Sequence, residues 1–160
     1  MAIPSLVYFY VLSRVKRTTS KPFDTLIDIG SGTGKMVFLA SKYSNFRAYG
    51  IENENFLVQI SRENLLQLGS HSEIYLANAL LFDYSKFKGD YLIFTLFNPF
   101  SPTYLTDFLS QISKKMEPNK KLAFLLFWDA TWIEELTSSR LSCVWRNRFL
   151  RCSFWEYPGG

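Results

Sequence analysis

Gly30, Gly32 and Gly34 stand at alternate positions between Asp28 and Lys35, directly after the apolar run Thr25-Leu-Ile-Asp-Ile29. Three alternate glycines let a backbone turn sharply and approach a ligand without side-chain collision. The segment that follows, from Lys35, carries Met36, Val37, Leu39 and Ala40 at helical spacing. Amides at the start of such a helix would face the ligand and suit an anion or a carboxylate. A phosphate-binding P-loop needs G-x-x-x-x-G-K-[ST], but position 29 is Ile and position 36 is Met, so that reading fails. The dinucleotide fingerprint G-x-G-x-x-G fits less well than the G-x-G-x-G present, and it stays as a weaker alternative.

Three further groups fall at the ends of apolar runs. Glu52 closes the run that includes Gly50-Ile51, 18 residues past Gly34. Asn78 and Ala79 follow the run Glu73 to Ala77, and Asn98-Pro99-Phe100 follows Asp90 to Phe97. Together with Asp28-x-Gly30-Ser31-Gly32-x-Gly34, this set resembles the class I S-adenosylmethionine-dependent methyltransferases over about Phe23 to Tyr157. It is similar in particular to small bacterial members with a Gly-x-Gly-Lys/Arg loop and an Asn-Pro-Phe.

The resemblance implies roles. S-Adenosylmethionine would be the cofactor, held by Asp28, Gly30, Ser31, Gly32, Gly34, Glu52, Asn78 and Ala79. The glycine loop would take the methionine end, and Asp28 would steady that loop or the methionine ammonium. Glu52 would accept both ribose hydroxyls, and Asn78 with Ala79 would meet adenine, although the family often has Asp at the Asn78 position. Glu54 is the rival for the ribose role and fits better as a helix-start carboxylate. Asn98, Pro99 and Phe100 would form the acceptor side. Phe100 stands where amide- and amino-directed members have a second Pro. N-methyl transfer is the first expectation, with protein lysine, a nucleic-acid base and a small metabolite all open as acceptors. A non-catalytic nucleotide-binding or interaction module on the same fold is the alternative, and an NAD-binding oxidoreductase a weaker one.

The elements that must position these groups follow from periodicity. Helices are expected at Leu6 to Val15, from Lys35 to Ser41, over Glu54 to Leu68 with Leu57, Ile60, Leu65 and Leu68 on one face, behind Ser101-Pro102, and at Thr131 to Ser138. Strands are expected at Thr25 to Ile29, Ala48 to Ile51, Glu73 to Ala77, Asp90 to Phe97 and Lys121 to Trp128. The Ser101 hydroxyl and Pro102 make a helix start, and Leu105, Phe108, Leu109, Ile112 and Met116 form its apolar face. Such alternation argues a parallel α/β sheet covered on both faces. The tail, Leu141 to Tyr157, breaks it with a hairpin. A two-residue turn at Asn147-Arg148 would pair Leu141 with Phe154, Cys143 with Cys152 and Trp145 with Leu150. The fold implied by the resemblance is a single-domain Rossmann-like α/β fold. Its sheet has seven mostly parallel strands, which suits this C-terminal antiparallel hairpin. Residues 1–22 would be a lead-in helix and 23–160 the S-adenosylmethionine-binding domain.

Composition bounds the rest. The chain has 160 residues, 48% of them hydrophobic and 18% aromatic, which suits one folded domain with a densely packed interior. No apolar run is long enough for a membrane span. The apolar start precedes Arg14, Lys16 and Arg17, the reverse of a secretory signal, so a cytoplasmic protein is expected. One His and two Cys cannot build a zinc site, and no metal is expected. The net charge is +4, with loose basic clusters at Lys114, Lys115, Lys120 and Lys121 and at Arg140, Arg146, Arg148 and Arg151. Both read as solvated surface.

Overall fold

A computed structural model describes residues 5–18, 25–44, 46–97, 101–115, 120–127 and 140–157. The expected helix over Thr131 to Ser138, Met116 and the Asn98-Pro99-Phe100 segment lie outside these described residues.

The described strands are β1 (Thr25–Ile29), β2 (Arg47–Glu52), β3 (Glu73–Leu76), β4 (Tyr91–Phe97), β5 (Lys121–Phe127), β6 (Ser142–Asn147) and β7 (Cys152–Glu156). They form one seven-stranded sheet in the order β3-β2-β1-β4-β5-β7-β6. All pairings from β3 to β5 are parallel, and β7 runs antiparallel to both β5 and β6. The order reverses between β1 and β4, which pair with Ile29 opposite Leu96. The crevice beyond the carboxyl ends of these strands is where an open α/β sheet takes its ligands.

Helices α1 (Ser5–Thr18), α2 (Lys35–Ser44), α3 (Asn55–Gln67) and α4 (Pro102–Lys115) cover the sheet. On one face, Tyr8, Val11, Leu12 and Val15 of α1 pack with Met36, Val37 and Ala40 of α2 over Leu26, Ala123 and Leu125. On the other, Leu105, Phe108 and Ile112 of α4 cover Phe94, Leu96 and Phe124. Phe94 and Phe124 stack with centroids 5.4 Å apart, and Phe108 meets Phe94 edge-on at 5.9 Å. Each such buried ring contributes about 1.5–3 kcal/mol. These layers fix the sheet on which the crevice is built.

Two expectations need correction. In α3 the buried residues are Val58, Ser61 and Leu65, whereas Leu57 and Ile60 are half-buried and Leu68 is exposed. The helix rolls so that the small Ser61 faces the glycine loop, a close approach that Leu at that place would block. In the hairpin, Cys143 faces Trp155, Trp145 faces Phe154 and Asn147 faces Cys152. A bulge between Cys143 and Trp145 inserts Val144, and the turn takes four residues, 148–151, with Arg151 at φ +49°. The Asn147 side-chain oxygen accepts the Leu150 amide at 3.0 Å and closes that turn. The two cysteines are therefore not partners: Cys143 is exposed and Cys152 buried. This register puts both Trp145 and Phe154 on the face that α1 covers, where the Arg14 guanidinium sits 5.2 Å from the Trp145 ring centroid.

Candidate cofactor site

The glycine run forms the loop from β1 to α2. Gly30, Gly32 and Gly34 all have positive φ, at 70°, 54° and 81°, where a side chain would strain the backbone. The Gly30 and Ser31 amides both donate to the Ile51 carbonyl, at 2.8 and 3.2 Å, so the loop folds over the end of β2. A Cβ on Gly34 would lie 3.2 Å from Ser61 Cβ, and one on Gly50 would lie 2.5 Å from Ser31 Oγ. Gly50 thus makes room for Ser31, whose buried hydroxyl has no partner among the described residues. Asn64 Nδ2 donates to the Thr33 carbonyl at 3.2 Å and ties the loop to α3. A Cβ on Gly32 would meet nothing within 4 Å, so the loop is open at that point.

Glu52 ends β2 with a buried carboxylate. Its Oε2 accepts the Gly32 amide at 2.9 Å, and Oε1 accepts the Asn53 and Glu54 amides at 2.9 and 3.1 Å. One side chain therefore joins the glycine loop to the start of α3. Oε1 has both lone pairs engaged, while Oε2 keeps acceptor capacity for a ligand hydroxyl. Glu54 occupies the N-cap of α3, but its exposed side chain makes no capping bond, and its own amide donates to Glu52.

Asp28 is also buried, and Thr95 Oγ1 of β4 donates to its Oδ1 at 2.5 Å. Burial raises the Asp28 carboxyl to about 7; the Thr95 bond opposes that shift and the Glu52 charge adds to it. Tyr8 lies close enough for Asp28 to push its phenol up, after the larger effect of burial. Tyr8 packs edge-on to Phe127 at 5.5 Å, a core role, and Lys35 Nζ sits 5.6 Å from its ring centroid. A carboxylate held in this setting gains most from a cationic ligand.

At the other end, Ile29, Ile51, Ala77 and Ala79 line a cavity of about 260 Å³ with Asn53, Asn78 and Tyr104 at its rim. Asn78 Oδ1 accepts the Leu80 amide at 2.9 Å and the Tyr104 hydroxyl at 3.2 Å. That oxygen is engaged within the chain by both bonds. Ala79 is buried and its carbonyl accepts the Tyr84 hydroxyl at 2.8 Å. The apolar walls with a polar rim have room for a planar, nucleoside-sized group.

Gly30, Asn78 and Ala79 line this cavity, Glu52 holds the glycine loop through the Gly32 amide, and Asp28, bonded to Thr95, is buried outside the cavity lining. Asn98, Pro99 and Phe100 lie outside the described residues, and the described chain leaves β4 at Phe97. Sequence reading missed Thr95 and Tyr104. A lone hydroxyl inside the apolar run Tyr91–Phe97 was the available signal for the first. The second is an aromatic in the first turn of α4, a position with no distinguishing pattern.

No protein-family model matches the sequence, and no curated protein does. Solved structures do. An RNA methyltransferase from Salinibacter ruber, in complex with S-adenosyl-L-homocysteine, superposes with a TM-score of 0.66 at 17% identity, covering 98% of this chain and 92% of its own. The fold is that of the S-adenosylmethionine-dependent methyltransferases. A magnesium protoporphyrin IX methyltransferase from Synechocystis, with bound S-adenosyl-L-homocysteine, gives 0.65 at 11% identity over 94% of this chain and 80% of its own. A ribosomal protein methylase from Lactobacillus delbrueckii subsp. bulgaricus gives 0.65 at 15% over 95% and 76%. Among the described residues, no group of His, Cys, Asp or Glu side chains could hold a metal ion, and no helix is long and apolar enough to cross a membrane.

Proposed function

We propose that this protein binds S-adenosylmethionine and transfers its methyl group to a nitrogen acceptor, as a cytoplasmic enzyme of bacterial type. The observation that carries the reading is the positive-φ glycine loop at the β1/β4 switch point, fixed by Glu52 through the Gly32 amide. Residues 23–160 form the cofactor-binding domain, and 1–22 supply the lead-in to it.

Each group has a job in this reading. Asp28, ionised once a cation arrives, pairs with the methionine ammonium. Ser31 packs against Gly50 and holds the loop in place for the methionine end. The open face at Gly32 lets the backbone approach the methionine end. Glu52 Oε2 takes a ribose hydroxyl while keeping the Gly32 amide in place. Ala79 and the apolar walls enclose adenine, with Asn78 and Tyr104 closing the rim. The bound sulfonium supplies the electrophilic methyl group. Orientation and water exclusion fall to the protein, with Asn98, Pro99 and Phe100 on the acceptor side.

Methyl-tritiated S-adenosylmethionine, incubated with the protein and with separated protein, nucleic-acid and small-molecule fractions, tests the transfer. Label should enter one fraction only and be suppressed by S-adenosylhomocysteine. Binding of S-adenosylhomocysteine with no label in any fraction would favour a non-catalytic module.

A further inference from the structure

Helix α1 turns Tyr8, Val11, Leu12 and Val15 into the core, yet it also presents large apolar groups outward. Leu6 is 79% exposed and Tyr10 43%, and Tyr43 at the end of α2 is 59% exposed beside them. Leu6, Val7, Phe9 and Tyr10 share a groove of about 710 Å³ with Tyr43 and with Leu150 of the hairpin turn. The next residue back in that turn, Phe149, is 95% exposed, the highest value among the large hydrophobic residues described. Because Cys152 pairs with Phe127, this turn stands at the carboxyl end of β5, the same end of the sheet as the glycine loop. Lys16 lines the groove, and two further exposed cations stand beside its elements, Arg17 next to it on α1 and Arg148 next to Phe149.

We propose that α1 and the 148–151 turn form a docking surface for an anionic lipid membrane. Charge and shape both select this occupant. A helix with an outward apolar start and a basic end lies in the headgroup plane, with its apolar side chains in the acyl boundary and its cations on the lipid phosphates. Phe149 at a turn tip, flanked by Arg148, inserts the same way. The aliphatic wall of Leu6, Val7 and Leu150 has no role against a nucleic-acid backbone, which would leave that groove empty. The surface needs no cofactor, so it stands or falls separately from the methyl-transfer reading.

Co-sedimentation with vesicles tests it, using phosphatidylcholine alone against phosphatidylcholine with phosphatidylglycerol. The whole chain should pellet with the anionic vesicles, stay in solution with the neutral ones, and be released by high salt. Phe149→Ser combined with Leu6→Ser should reduce binding by about tenfold or more, with the unfolding temperature unchanged because both side chains are exposed. Arg148→Glu should reduce it by about fivefold or more. Equal binding to both vesicle types, or none, overturns the proposal. So does tighter binding to a single-stranded RNA oligonucleotide than to the anionic vesicles. A dimer in sedimentation velocity that the Phe149→Ser, Leu6→Ser variant dissolves would assign the surface to a second copy instead.

Discussion

Ser31 fills the space that a side chain on Gly50 would need. A Cβ there would stand 2.5 Å from Ser31 Oγ and 2.8 Å from Ser31 Cβ, below any ordinary contact. The glycine loop can sit on β2 only because position 50 is bare. Gly50→Ala should therefore displace the loop, costing about 1–3 kcal/mol of stability, as overpacking does. It should also weaken S-adenosylhomocysteine binding. Adding Ser31→Gly should recover part of both losses, measured by denaturant unfolding and calorimetry, while Ile74 Cδ1, also 2.5 Å from that Cβ, still has to shift. Gly50→Ala with wild-type stability and binding contradicts this packing.

Glu52 carries two loads. Glu52→Ala should cost about 1–3 kcal/mol of stability without ligand, because the Gly32, Asn53 and Glu54 amides lose their acceptor. It should cost a further 1.5–3 kcal/mol or so of cofactor affinity if Oε2 takes a ribose hydroxyl. Glu54→Ala should do neither, since that exposed side chain caps nothing. A reversed pattern would move the ribose role to Glu54.

Asp28 makes the protein pH-sensitive. Its carboxyl titrates at about 7 in the fold, against 3.8 ordinarily. The folded chain therefore binds more protons than the unfolded chain between these values. Stability should fall as pH rises from about 4 to about 7 and level off above that. Asp28→Asn should remove that slope. Affinity for S-adenosylhomocysteine should rise through the same upper range, because the ionised carboxylate is the form that attracts the ammonium. Thr95→Val, by deleting the bond that favours the anion, should push the affinity rise to higher pH. Calorimetry from pH 5 to 9 reads both effects, and a flat affinity profile contradicts the ammonium role.

What the residues announced and what they hid divides along physical lines. Buried parallel strands have apolar runs ended by glycine, a carboxylate or an amide side chain, so β1, β2 and β4 were legible to within a residue or two. The N-cap of α4 was equally plain, and Ser101 Oγ does accept the Tyr104 amide at 3.3 Å. The hairpin register was not, because the turn takes four residues where two were expected, which moves every pair, and a bulge at Val144 adds a further slip that leaves no mark in an alternating pattern. The orientation of Ser31 toward Gly50 and the Tyr104 contact with Asn78 are tertiary facts. No local spacing encodes them.

Asn98 belongs to the acceptor side in the proposed reading. Asn98→Ala should lower methyl transfer at least about tenfold, as loss of a positioning hydrogen bond does, while S-adenosylhomocysteine affinity stays close to wild type. Single-turnover assays with the labelled acceptor fraction separate the two. Equal loss of cofactor affinity would make Asn98 part of the cofactor site instead.

In the proposed function, the crevice at the β1/β4 switch point takes S-adenosylmethionine. Isothermal titration of the wild-type chain with S-adenosylhomocysteine, and then with NAD and ATP under the same conditions, tests it most directly. One site per chain is expected for S-adenosylhomocysteine, weakened by Glu52→Ala, with no measurable binding of NAD or ATP. Binding of NAD with equal or greater affinity, or no binding of S-adenosylhomocysteine at all, would contradict it.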